Sequence, residues 1–495
     1  MKQIEFEVCK LGRGAWAYAA LVVCATATVL SAQTFTTVHT FIGPDGEYPN
    51  GPLIQATNGY AYGTTASGGA NCGSNGGCGT VFKISPKGVF TTIYSFCSQS
   101  SCADGSYPEA GLIQATNEDL YGTTSGGGAN QRTSGGAGTV FKITPNGILT
   151  TLYNFCSQPG CSDGSFPAAG LVQATNGDLY GIAGETVFKI SPRGAYTALY
   201  TFCLQTGCLD GQIPTGLIQA ANGDFYGTTQ YGGAGVHPDG TIFKMTPAGV
   251  PTILHNFCSR TQCTDGNYAS VLVQAPDGYV YGTTNGGGSQ GAGTFYRMTP
   301  GGVFTKLYNF CYLTCPDGSD PEVGLAVASD GDLYGTTDYG GIVDPGANSG
   351  TIFKITPSGD LTTLYSFCEY NCRDGGRPSA LLQATNGNFY GVTKDGGPEG
   401  LGNAPGVGTV FSLSVGLPPF VKTQTASGEV GAAVNILGSD LTGATSVSFN
   451  GVDTVFNVAS RFVITTTVPA GATTGTVQVV TPSGTLLSNV PFRVP

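Results

Sequence analysis

Tyr-Gly recurs at 62, 121, 180, 226, 281, 334 and 390, usually inside a segment of the form LYGTT, and the seven copies lie about 55 residues apart. A repeat of that length made of short β-rich runs is a blade-sized unit that cannot bury its own faces, so it must stack on its neighbours. The second copy serves as type: AGLIQAT (110–116), DLYGTT (119–124), GTVFKITP (138–145) and ILTTLYNF (148–155). The first two runs are joined by Asn-Gly or Asp-Gly in six copies, with Asn117-Glu118 the exception, and the last two by Pro-x-Gly. Asn-Gly supplies the positive φ of a tight hairpin, so each unit reads as a four-stranded antiparallel meander. Both faces of these strands are apolar, which requires cover on both sides and favours radial stacking over an open sheet.

The ends of the array fix its closure. TFTTVHTF (34–41) matches the fourth strand of the unit, while the last copy stops after its third, GTVFSLSV (408–415). The sequence therefore predicts an all-β protein: a seven-bladed β-propeller of four-stranded antiparallel blades over residues 33–416, closed by the N-terminal strand. Closure also removes a raw sheet edge. Loops after the second and fourth strands fall on one rim, where length varies from almost nothing near Gly184 to the stretch 394–408. Variable loops on a rigid scaffold are the usual seat of binding, and Tyr231, His237 and Asp239, in the loop YGGAGVHPDG, are the candidate contact residues.

Composition agrees with many short strands and tight turns, with 79 Gly, 24 Tyr and 26 Phe against 10 % charged residues. Residues 1–32 read as an export signal: Lys2, Lys10 and Arg13 precede an apolar run from Ala15 to Leu30, with cleavage expected after Ala32. Removing those three cations together with Glu5 and Glu7 from 20 basic and 31 acidic residues leaves 17 against 29, a net charge of −12. That sign disfavours nucleic acid and anionic membranes, and no later stretch is long and apolar enough to span a bilayer. The mature chain is expected to be a secreted or cell-surface monomer.

Sixteen cysteines follow the repeat. Cys9 and Cys24 leave with the signal, and the other fourteen form seven close pairs: Cys97/Cys102, Cys156/Cys161, Cys203/Cys208, Cys258/Cys263, Cys311/Cys315, Cys368/Cys372 and, in a Gly-rich loop, Cys72/Cys78. Zinc would need local His partners, and the chain has only three His, so local disulfides in an oxidising compartment are expected.

Other recurrent residues have structural explanations. Asp-Gly after the fourth strand (Asp45, Asp104, Asp163, Asp210, Asp265, Asp317, Asp374) reads as a turn cap; one Asp per link is too few for calcium. The repeated Tyr reads as packing between units rather than as a ring of sugar platforms. Lys83, Lys142, Lys189, Lys244, Arg297 and Lys354 share one strand position and read as snorkelling side chains. His39 and His255 take the Tyr position of the fourth strand, and Glu109 and Glu322 precede first strands in matching links. No phosphate loop, zinc signature or nucleophile elbow is present. No catalytic residue, metal or cofactor is assigned.

Pro418-Pro419 ends the array, and residues 417–495 carry β-type runs of the right length for a small β-sandwich. GSDLTGATSVSFNG (438–451) and VPAGATTGTVQVVTPSG (468–484) resemble the IPT/TIG family of immunoglobulin-like domains, a resemblance that implies a spacer or interaction module. YGTT, GTVFKITP and LTTLYNF resemble the bacterial GloVer tandem repeats of choice-of-anchor surface proteins over about residues 34–415. That resemblance implies secretion and a non-catalytic surface role, and carries no ligand or active-site residues with it. The function expected is thus that of an exported, non-enzymatic binding or structural protein that contacts an extracellular glycan or protein through the variable rim. The alternatives are a carbohydrate-active propeller, a lyase or glycosidase, marked by carboxylates converging at the channel or rim, and a calcium-dependent adhesion protein.

Overall fold

The computed structural model describes residues 33–72, 78–130, 135–235, 237–259, 262–311, 316–341, 350–368, 372–397 and 406–495. The expected signal over 1–32 lies outside the described residues, as does Cys315. Among the described residues the chain is all-β apart from two single 3-10 turns, Ser100–Cys102 and Pro159–Cys161, and no helix is long and apolar enough to cross a membrane. Seven antiparallel sheets of the propeller-blade kind succeed one another between residues 34 and 414. In the second, Ile113–Gln114, Leu120–Thr124, Thr139–Ile143 and Leu149–Asn154 pair in chain order. In the last, Thr34–Thr40 lies antiparallel to Thr409–Ser414, in register from Thr34 with Ser414 to Thr40 with Thr409.

Each residue of LYGTT has a separate task. The Tyr ring is fully buried in six copies and half-buried at Tyr390, and its hydroxyl bonds the hairpin turn, as Tyr62 and Tyr121 do with Asn58 and Asn117 at 2.7 and 2.8 Å. Burial excludes these rings as sugar platforms. The Gly leaves room for the third-strand Phe: a Cβ on Gly63 would stand 2.5 Å from Phe82 Cζ. The first Thr donates to the carbonyl leading into the next sheet, as Thr64 does to Ala110 O at 2.8 Å. The second pairs with the Thr opening the third strand, as Thr124 does with Thr139 at 2.8 Å.

Neighbouring sheets are joined by a side-chain clasp at the end of the first strand. The N–H groups of Thr57, Thr116, Thr175, Ala221 and Ser329 donate to Gln114, Gln173, Gln219, Gln274 and Gln383 of the next sheet at 2.7–3.0 Å. The seventh sheet is tied to the first by the same bond, Thr385 N–H to Gln55 Oε1 at 2.9 Å. One junction lacks it on both sides: the donor position holds Pro276, which has no N–H, and the acceptor position holds Val327. Pro276→Thr combined with Val327→Gln is expected to add about 1 kcal/mol of stability, with Val327→Gln alone neutral or destabilising because its amide then finds no partner. A double-mutant cycle by urea denaturation reads the coupling; additive singles would refute the clasp.

The crossovers between sheets are latched by the Asp of Asp-Gly. Asp104, Asp163 and Asp317 accept the hydroxyls of fourth-strand Tyr94, Tyr153 and Tyr308 at 2.7–2.8 Å. Where the strand carries His instead, His39 meets Asp45 at 2.8 Å and His255 meets Asp265 at 3.0 Å. Burial works to raise Asp45, Asp163 and Asp265, but hydrogen bonds from these partners and from backbone N–H groups outweigh it and hold all three low. The third-strand cations meet turn carboxylates, as Lys142 does Asp119 at 3.2 Å and Lys354 does Asp330 at 3.1 Å.

Disulfides close the same crossovers at Cys97–Cys102, Cys156–Cys161, Cys203–Cys208, Cys258–Cys263 and Cys368–Cys372, and Cys311 is also disulfide-bonded. The expected Cys72–Cys78 bond is absent: both are thiols. Cys72 Sγ is engaged otherwise, donating to Gly68 O at 2.8 Å and accepting the Cys78 N–H at 3.1 Å, and burial beside Cys72 pushes the Cys78 thiol up to about 12. This pair stands outside the crossover that shapes the others.

Beyond residue 420, two four-stranded antiparallel sheets share one core, with Val434, Ile436 and Ile464 from one sheet against Val447, Phe449 and Val477 from the other. This unit sits on the hairpin-turn rim of the array: Gln424 donates to Ala115 O at 2.8 Å, and the Phe420 N–H to Thr385 O at 3.0 Å.

Candidate functional site: a cavity mouth with an aromatic arc and a charged arc

The segments leading into the first strands of all seven sheets line one cavity of about 710 Å³, a size suited to a small organic guest. Its walls are apolar at Leu112, Leu171, Leu217 and Leu272. Its mouth is built from two columns of the repeat that change residue type from copy to copy.

The first column is the residue that follows Asp-Gly-x: Tyr48, Tyr107, Phe166, Ile213, Tyr268, Asp320 and Arg377. All seven adopt a left-handed backbone, with φ between 49° and 57°. The conformation serves the fold, because the N–H here reaches back to the preceding repeat, as Tyr107 does to Cys78 O and Asp320 to Ala292 O. The side chain does not need to be there, since a left-handed non-glycine residue costs roughly 1–2 kcal/mol. In a chain with 79 Gly, many at positive φ, none occupies this column. Tyr48, Tyr107, Phe166 and Ile213 stand 39–48 % exposed, and Phe166, Ile213 and Tyr268 line the cavity.

The second column follows YGTT: Ala66, Ser125, Gly184, Gln230, Asn285, Asp338 and Lys394. Gln230, Asn285 and Lys394 line the cavity, and the Oδ1 of Asn285 is buried without a hydrogen-bond partner. In the third repeat the column falls on the short turn Gly184-Glu185, which leaves Phe166 uncovered.

Repeats 6 and 7 turn the mouth from aromatic to charged. Lys394 Nζ lies 2.8 Å from Glu322 Oε2 and 3.4 Å from Asp338 Oδ2, and Arg377 pairs with Asp395. Burial, reinforced by a hydrogen bond to Glu322, raises the Asp338 carboxyl to about 7 against the pull of Lys394. Burial also acts to raise Glu322, but the Asp338 bond and the Lys394 ammonium prevail and hold it low. Burial and the Glu322 charge lift Asp320 to about 6. Below about pH 7 the proton that burial keeps on Asp338 is shared with Glu322, so the two form a carboxyl pair able in chemical terms to hold and pass a proton. Across the mouth, Glu109 is raised by burial and bonded to Ser125.

The candidates chosen from sequence lie on this rim, and only part of them joins the site. Tyr231 packs edge-on against Tyr268 with centroids 5.2 Å apart, and Asp239 O accepts the Tyr268 N–H. His237 is exposed and does not line the cavity. Glu322, read from sequence as a register residue, carries the charged cluster instead.

Among solved structures the chain is similar to a streptogramin B lyase (14 % identity, TM-score 0.50, covering 77 % of this chain and 97 % of that one). It is also similar to a fungal alcohol oxidase (14 %, 0.49, covering 92 % and 99 %) and to the extracellular domain of a one-component system from B. thetaiotaomicron (11 %, 0.48, covering 94 % and 59 %). At such identities the likeness concerns the fold alone. No curated protein matches the chain in sequence. A family model, the Gloeobacter/Verrucomicrobia repeat, matches residues 25–186 and 183–405.

Proposed function

The chain belongs to the Gloeobacter/Verrucomicrobia repeat family, and from that premise we propose that it is an exported, non-enzymatic binding protein whose recognition face is the mouth of the central cavity. In this reading residues 33–416 form a closed seven-bladed β-propeller sealed by Thr34–Thr40, and residues 417–495 form an immunoglobulin-like spacer of the IPT/TIG kind. The Gln clasp from the seventh sheet to the first supports closure, and the disulfides support an extracytoplasmic home. The partner is an extracellular glycan or protein.

The observation that carries the proposal is the left-handed column. All seven positions keep a side chain where glycine would relieve backbone strain, four of these side chains stand exposed, and Phe166, Ile213 and Tyr268 line the cavity, the pattern of strain kept for function. Folding and binding are therefore separable by substitution. Tyr107→Gly and Phe166→Gly are expected to leave stability unchanged or raise it by up to about 1 kcal/mol each, while retention on immobilised glycan and protein arrays drops at least tenfold. Variants that bind like the parent would remove the column from the recognition surface.

The Glu322–Asp338–Lys394 cluster favours a second reading, a carbohydrate-active enzyme, because Glu322 on the cavity wall is held low while the carboxyl of Asp338 buried behind it is raised to about 7. Turnover of any array hit distinguishes it from simple binding. The calcium-dependent adhesion reading loses its ligands, since Asp104, Asp163 and Asp317 already accept Tyr hydroxyls and Asp45 and Asp265 face His.

A further inference from the structure

The two arcs of the mouth differ in chemistry in a way that narrows the guest. On repeats 1 to 5 the left-handed column offers ring faces and one aliphatic group: Tyr48, Tyr107, Phe166, Ile213 and Tyr268. Beneath it the second column offers amide edges, Gln230 and Asn285, and the Asn285 Oδ1 is a buried acceptor still waiting for a donor. An orphaned acceptor of this kind costs about 1–3 kcal/mol unless a guest supplies an O–H or N–H. Flat apolar faces beside hydroxyl-seeking edges match a pyranose ring, which presents C–H groups on its face and hydroxyls around its rim.

Charge narrows the choice further. Each cation at the mouth is already paired, Lys394 with Glu322 and Asp338 and Arg377 with Asp395, so neither is an uncompensated charge for a carboxylate or sulfate. The remaining ionisable group on the cavity wall, Glu109, is also acidic, and the chain as a whole is at −11. An acidic guest would enter a negative field with no unengaged counter-charge.

We propose that the cavity mouth binds the end of an uncharged saccharide chain, stacked on Phe166 and Tyr268, with the Asn285 side chain turning to bring its Oδ1 to a sugar hydroxyl. This rests on the reading of the left-handed column as the recognition surface, and the test separates the two. The mature protein and its Phe166→Gly and Asn285→Ala variants are applied to one array carrying neutral oligosaccharides, uronate-containing and sulfated oligosaccharides, and peptides, with melting temperatures measured in parallel. Retention on neutral oligosaccharides, weakened at least tenfold by both substitutions at an unchanged or raised melting temperature, is the expected result. Retention confined to acidic saccharides or to peptides, and lost in Phe166→Gly, overturns the saccharide assignment and leaves the recognition surface standing. Neutral saccharides held equally by all three proteins overturn both. Retention of nothing on the array overturns the assignment.

Discussion

A chain that begins at Gly43, without the strand Thr34–Thr40 and Phe41, will not be recovered as a soluble, cooperatively melting species that elutes with the parent. The strand supplies six paired positions along Thr409–Ser414 and three aromatic anchors. Phe35 stacks on Tyr365 with centroids 4.0 Å apart and meets Phe367 and Phe411. His39 stacks on Phe90 at 3.6 Å, and Phe41 is buried with Leu53 and Phe82 of the first sheet and Val392 and Val410 of the seventh. Phe41→Ala alone should cost about 3–5 kcal/mol, and loss of the whole strand rivals a typical total stability of about 5–15 kcal/mol. It also bares the Thr409–Ser414 edge to other chains. Size-exclusion chromatography and thermal melting read both effects. A deletion variant that elutes and melts with the parent contradicts the closing role.

The second large effect is expected at Lys394. Lys394→Met leaves the buried Asp338 and its neighbour Glu322 without their cation, a change of about 3 kcal/mol near pH 8. Asp338 has a folded pKa raised to about 7, so the stability it contributes is fully present below its unfolded value of about 4 and is lost as pH rises through 7. Without the ammonium the folded value moves higher still. The gap between variant and parent should therefore narrow on acidification towards pH 5 and widen above pH 7. Adding Asp338→Asn should recover most of the loss at pH 8. Chemical denaturation at the three pH values decides; a gap independent of pH, or no recovery in the double variant, would mean that Lys394 acts through its packing alone.

Much of the scaffold was legible because the repeat reports its own register. The strand at 34–40, the Asn-Gly hairpins, the Asp-Gly latches and the two His at Tyr positions all follow from alignment of one copy on another. Glu118, which departs from Asn-Gly, keeps the turn's left-handed backbone at φ 69°, so the fold overrides residue preference there. Cys72 and Cys78 misled because closeness in sequence says nothing about which way a thiol points.

The site was harder to read for a physical reason. Glu322, Asp338 and Lys394 come from three stretches up to 72 residues apart, and only packing of the sixth sheet on the seventh unites them. Each is unremarkable in its own segment. A signal did exist, in the two columns where residue type changes between copies while the surrounding motif does not. Those columns, more than a lone histidine such as His237, mark where side chains are released from architecture.

The missing clasp between Pro276 and Val327 bears on how such an array changes over generations. Discarding donor and acceptor together leaves no stranded dipole, whereas discarding either alone does. A change at that seam that leaves every dipole partnered must therefore touch two adjoining copies at once, so the unit of compensation here is the boundary between two repeats rather than the repeat itself.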